Sequence, residues 1–248
     1  MFSYEKIAGF LRSASQCVPV FPMHACTGAP GMIMRHDVDL DILPAYRFAE
    51  LERSLGIRST YFFLMSADTY NPGSKANRRM LREMAGEGFE IGLHFDPTLY
   101  PAADPTALEA HARDEAAQLA DISGGPVNAV SLHNPDEYGR MPLFESFQNA
   151  YDPEYFSNGR YSSDSRMIFR TDPFSLIDLA RTSVTQINLH PEHYSDGGDG
   201  YPAPMISYIG HAIDIVHRTF VANTSYAKET GGDLRGHVRA FLAGDRPG

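Results

Sequence analysis

Short apolar runs alternate with stretches of helical spacing along most of this chain. Residues 3–13 set Tyr4, Ile7, Ala8 and Leu11 on one face, which predicts a short helix across one end of the domain. Pro19, Pro22, Gly28, Pro30 and Gly31 then interrupt regular structure, and a strand is predicted over about 32–38. Phe48, Leu51 and Leu55 share a face of a helix predicted from Ile42 to Leu55, with Gly56 as its stop. The β-branched and aromatic run 59–64 reads as a buried strand, and Asn71-Pro72-Gly73 as a loop. Residues 76–85 return to helix, Phe89 to His94 to strand, and Asp104-Pro105 caps a helix reaching about Asp121. A further strand is predicted from Val127 to His133, another from Thr185 to Leu189, and a helix from Ile206 to Val221. The stretch from Asn134 to Asp172 has no clear period and is expected to hold short strands and substrate loops. A weak helical patch at Val238 to Leu242 sits in a peripheral tail, 231–248, that ends in Gly and Pro. Strand alternating with helix through short turns predicts an α/β chain with a parallel sheet, in a single domain spanning 1–248.

Composition adds limits rather than a function. The formal charge of −10 repels phosphate backbones and anionic lipid, so nucleic acid is not an expected partner. The N-terminus lacks the long apolar run of a secretory signal, and no stretch approaches the ~20 apolar residues of a membrane span. Cys17 and Cys26 form no Cys-x-x-Cys unit, and a cytoplasmic location is expected. Oligomeric state is not legible.

The strand ends carry the chemistry. Alternate side chains of a strand share a face, so Arg35, Asp37 and Asp39 point the same way. Neighbouring carboxylates are unfavourable unless a cation neutralises them or one keeps a proton. Asp41 is better placed than either to cap the following helix. His94, His133 and His190 each close a predicted buried strand, and a curled sheet would gather strand ends at one mouth. His36 points off that face, although it is near enough to be an alternative ligand. His24, His111, His193, His211, His217 and His237 lack the context and read as surface or satisfied core residues. Carboxylate plus imidazole suits zinc and its neighbours, and the pattern indicates a metal-assisted hydrolase.

At these residues the chain resembles the polysaccharide deacetylase family, carbohydrate esterase family 4. The resemblance spans about 32–195 and implies a deformed (β/α) barrel of about seven strands with its site at the C-terminal strand ends. It also implies one divalent metal ion, zinc foremost with Fe, Co, Ni or Mn as alternatives. Asp37-Val38-Asp39 is similar to the family's first motif, which implies Asp37 as catalytic base and Asp39 as metal ligand. Glu90-Ile91-Gly92-Leu93-His94 is similar to the second, which implies His94 as ligand. The family's second histidine falls four residues further on, where this chain has Thr98; His133, in Ser-Leu-His-Asn-Pro, is the inferred replacement. That placement displaces the arginine that steadies the base, a part Arg35 could take. Leu189-His190-Pro191 resembles the last motif, implying His190 as general acid, and Tyr161 to Ser165 resembles the fourth, with Asp164 orienting His190. The backbone N–H of Asp136 is a candidate for the oxyanion site. The motif set looks most like the non-exported, WbmS-like branch associated with surface-polysaccharide gene clusters.

The expected reaction is removal of an N-acyl group from an acylated amino sugar or glycoconjugate. Tyr151, Tyr155, Phe156 and Tyr161 offer flat faces for sugar rings, or serve packing in an irregular loop. Three alternatives remain at this stage: a related metal hydrolase of another C–N bond (formamide, imide or cyclic amide), a non-haem iron oxygenase built on two histidines and a carboxylate, and a non-catalytic sugar-binding homologue.

Overall fold

The computed structural model describes residues 1–135, 139, 141–157, 159–198 and 200–244. The chain divides into two compact units, Met1–Gly198 and Asp199–Gly248.

The first unit is built on a parallel sheet. In chain order its strands are β1 (Val20–Phe21), β2 (Gly31–Val38), β3 (Thr60–Leu64), β4 (Glu90–Phe95), β5 (Ala129–Leu132), β6 (Gln148–Asn149), β7 (Tyr161–Ser163) and β8 (Val184–Leu189). Their order across the sheet is β6-β5-β4-β3-β2-β8-β7, with β1 beside the first half of β2 and β3 beside the second. Every pairing is parallel. The sheet curls into an open half-barrel, the deformed α/β barrel expected from the motifs.

Helices cover the outer face: α1 (Tyr4–Cys17), α2 (Ile42–Ser54), α3 (Lys75–Gly86), α4 (Pro105–Ser123) and α5 (Pro173–Leu179). Their starts follow from short polar side chains that satisfy the free N–H groups of a first turn. Asp41 accepts from Leu43 N, Ser74 from Asn77 N and Asp104 from Ala107 N. Asp41 is thus the cap, which leaves Asp37 and Asp39 free of that duty. Outward residues of β2 to β5, such as Tyr61, Phe63, Ile91, Leu93 and Val130, bury against Ala45, Leu81, Met84 and Leu119 of the helices. Met32, Met34, Ile187 and Leu189 do the same against Phe10, Leu11 and Leu176.

The inner face changes character along its length. Its lower part is apolar, filled by Met23, Ile33, Phe62, Ala129, Ala150, Tyr155 and Val184. A 3₁₀ turn at Met23–Ala25 stoppers this end. Met23 N donates to Thr60 Oγ1 at 2.8 Å, His24 N to Glu90 Oε2 at 3.0 Å, and Gln148 Nε2 to Met23 O at 2.7 Å. Above the apolar plug, the same inward positions turn polar: Arg35, Asp37, His94, Ser131 and Asn188.

The second unit holds α6 (Pro202–Phe220), α7 (Thr224–Thr230) and α8 (Leu234–Leu242). Arg235 joins α8 to α6 through Asp214, at 2.7 Å, and the carbonyl of Gly210. No helix among the described residues is long and apolar enough to cross a membrane.

Most expected elements lie within two residues of their predicted bounds, which is the usual play of helix and strand ends. The expected helix at Ile206 instead starts at Pro202, where proline is tolerated in a first turn. Among the described residues, α5, α7, the paired strand β1 and 3₁₀ turns such as Met23–Ala25 lie outside the expectation.

Candidate active site

The strand ends bring together the residues singled out from sequence. Asp39 lies one residue past β2, His94 near the end of β4, His133 one past β5 and His190 one past β8. Asp39 Oδ1 is 3.0 Å from His94 Nε2 and 3.2 Å from His133 Nδ1, and the two imidazole nitrogens are 3.1 Å apart. These three donor atoms lie within 4.8 Å of one another. Asp39 Oδ1 is buried with no hydrogen bond satisfying it. Two nitrogens and an oxygen converging on one point, two of them facing each other, fit a cation better than a proton, which only one pair could share. His133 Nε2 sits 3.0 Å from the side-chain amide of Asn134, whose two ends are interchangeable, so that amide can orient the ring whichever nitrogen carries the proton.

Asp37 lies one turn of the pleat below, almost fully buried. Its Oδ2 accepts from Asn188 Nδ2 at 2.9 Å and from Ser131 Oγ at 3.2 Å, and stands 3.7 Å from Arg35 Nη2. Burial opposes the charge on Asp37, and the Arg35 guanidinium overcomes it, so the carboxyl stays below its ordinary range. Arg35 is itself fully buried: Nη1 donates to Ser131 Oγ at 2.7 Å, and its plane faces the rings of Tyr151, Phe62 and Tyr161 at 5.1–5.8 Å.

On the other side, His190 directs Nε2 toward Asp39 Oδ2, 3.9 Å away, and Nδ1 toward Asp164 Oδ1 at 2.6 Å. Asp164 also accepts from His190 N and from Tyr194 OH at 2.9 Å. Burial disfavours a charged imidazole, yet Asp164 reverses this and holds His190 well above the usual histidine range. Asp164, His190 and His193 also fall within 4.8 Å of one another, but Asp164 is already saturated with donors, which makes this a hydrogen-bonded support. Glu192 is buried against the metal-type cluster, where Oε1 accepts from Asp39 N at 3.0 Å. Burial, then the Asp39 carboxylate, push its own carboxyl up to about 8.

Arg35, Asp37, Asp39, His94, His133, Asp164 and His190 therefore share one region, whereas Asp136 lies outside the described residues. His36 faces outward, buried, with Nε2 2.7 Å from Glu52 Oε1 and its ring stacked on Tyr61. Of the aromatic residues expected near substrate, Tyr155 is buried in the apolar plug and donates to Asn149 O at 2.7 Å, so it serves packing. His111 is half-buried and stacked on Tyr100, 4.0 Å between centroids. Ser131, Asn188, Glu192 and Tyr194 are site residues that the sequence reading does not single out. For the first two the signal was present: each stands two positions before a strand-end histidine, on the same face.

No family model matches the chain, and no curated protein does. Several solved structures overlap it loosely. A chitin deacetylase from Colletotrichum lindemuthianum shares 13% identity over 78% of this chain and 88% of that one, with a TM-score of 0.46. The peptidoglycan deacetylase PdaC from Bacillus subtilis shares 16% over 81% and 95%, at 0.41. A CE4 family pseudoenzyme from Bacillus anthracis shares 10% over 74% of this chain and 62% of that one, at 0.41.

Proposed function

We propose that the protein is a metal-dependent hydrolase of the polysaccharide deacetylase type, removing an N-acyl group, N-acetyl foremost, from an amino sugar or its conjugate. The observation that supports this reading is the convergence of Asp39, His94 and His133 between a buried carboxylate, Asp37, and a carboxylate-backed histidine, His190. The donor set suits one divalent cation, zinc foremost, held by Asp39, His94 and His133. Such an ion would supply Lewis acidity, making water ionisable near neutral pH and polarising the acyl carbonyl.

The protein's own groups then divide the proton work. Asp37, kept ionised by Arg35, takes the proton of the attacking water. His190, kept charged by Asp164, gives a proton from Nε2 to the departing amine, because Nδ1 is committed to Asp164. The backbone N–H of Asp136 is the proposed oxyanion donor. The WbmS-like branch, a cytoplasmic location and a place in surface-polysaccharide synthesis are the finer parts of the proposal.

The test is metal analysis of the purified protein beside His133→Ala and Asp37→Asn, with acetate release from chitotetraose as the activity. Wild type is expected to hold about one divalent ion, His133→Ala to lose it, and Asp37→Asn to keep it while losing roughly 10²- to 10⁴-fold in rate. A wild-type protein that binds no divalent ion, or an active Asp37→Asn, overturns the reading.

A further inference from the structure

We infer that Asn188 and Ser131 are positioning residues that clamp one oxygen of Asp37, so that its other oxygen, Oδ1, is the atom that takes the proton. This rests on the hydrolase reading and adds to it which atom acts and what fixes it. A carboxylate alone at the end of a short side chain can turn either oxygen toward the reacting water. Here the two oxygens differ. Oδ2 accepts from Asn188 at 2.9 Å and Ser131 at 3.2 Å, whereas Oδ1 is buried with no protein partner.

The direction of each donor is itself forced. Arg35 has only donors, so at 2.7 Å the Ser131 oxygen must accept from it. Ser131 then has a single hydrogen to give, and Asp37 Oδ2 lies in reach of it. Arg35 thus reaches the base in two ways, directly by its charge 3.7 Å from Asp37 Oδ2 and through the Ser131 hydroxyl. For Asn188 the carbonyl end would meet a carboxylate with like partial charge, so the amide end faces it.

The fold supplies this clamp from β8, beside β2, and from β5, across the curl of the sheet, by one rule. Asp37 stands two residues before Asp39 in β2, Ser131 two before His133, and Asn188 two before His190. Period-two alternation therefore puts the clamp directly beneath the groups that would meet cation and substrate. β4 contributes no donor, because Gly92 occupies its equivalent position.

The experiment uses the metal-loaded full chain with 4-nitrophenyl acetate, an activated ester that needs a base but no proton for its leaving group. Ser131→Ala and Asn188→Leu are each expected to lower kcat about 10- to 100-fold, the scale of a misplaced reacting group. KM, metal content and thermal midpoint stay near wild type, and Ser131→Thr, which keeps the hydroxyl, restores most of kcat. Crystal structures of the two impaired variants are expected to show the Asp37 carboxylate turned about its Cβ–Cγ bond. Unchanged kcat, an unmoved carboxylate, or a loss that follows the thermal midpoint or metal content overturns the inference. Asp37→Asn separates the two levels. If it is inactive while Ser131→Ala and Asn188→Leu are fully active, only the clamp fails; if it is active, or wild type is inactive, the hydrolase reading fails and the clamp with it.

Discussion

Asp164 governs the acid half of the proposed chemistry from a position where it touches no substrate. It gathers a backbone N–H, an imidazole Nδ1 and a tyrosine hydroxyl, all buried. Its effect on His190 has a definite sign. Burial alone would lower the imidazole pKa, and the carboxylate raises it well above the ordinary value of about 6.5. His190 so remains an acid at pH values where a free histidine has lost its proton. Asp164→Asn removes the raising charge, and the basic limb of the kcat–pH profile for an amide substrate is expected to move to lower pH. The pair also marks a stability window. The raised His190 stabilises fully below about 6.5 and loses this as pH climbs through its folded value; the depressed Asp164 stabilises above about 4 and loses this on acidification. The gap in thermal midpoint between wild type and Asp164→Asn should therefore be widest between those limits. An unmoved basic limb would show that Asp164 does not set the acid. This residue was legible only through motif resemblance, since nothing in the period of residues 134–172 marks it.

Among the elements, β4 shows how a strand is tuned to deliver one proposed ligand, His94. Gly92 lies opposite Phe62 of β3. A Cβ added there would stand 2.5 Å from the Phe62 ring and 3.3 Å from the carbonyl of Ala129. Since the ring caps the apolar plug and cannot swing away freely, Gly92→Ala overfills the interior, at a cost of about 1–3 kcal/mol. The expected result is a thermal midpoint lower by several degrees and weaker zinc binding, because His94 is two residues further on. Phe62→Leu in the same chain should recover part of both. Equal midpoints for Gly92→Ala and wild type would mean that Phe62 yields readily. Strands such as β2, β3, β4 and β8 were legible because each is a long run of buried residues. β6 and β7 were not: Gln148-Asn149 and Tyr161-Ser162-Ser163 carry mixed polarity, and pairing with β5 and β8 makes them strands.

At the scale of the molecule, the site ties β2, β4, β5 and β8 together through side chains far apart in sequence. A cation bound by the folded chain and not by the unfolded one stabilises by mass action, about 4 kcal/mol at a thousandfold excess over Kd. Removing divalent metal with a chelator should lower the thermal midpoint, zinc should restore it, and His133→Ala should abolish most of the response. A midpoint indifferent to chelation and to zinc would argue against a cation at this cluster. Parallel α/β architecture was legible from alternating elements; closure toward a barrel was legible only through the motif resemblance, since curl depends on how inward side chains fill the lumen rather than on any one run. The filling of that lumen has a final consequence. With Met23 bonded to Thr60 and Gln148 beneath a plug of Ile33, Phe62 and Tyr155, the half-barrel is floored at its lower end. In the proposed reaction the acid and the amine do not leave through that floor; they leave on the sides that the half-barrel keeps open, where the substrate arrives.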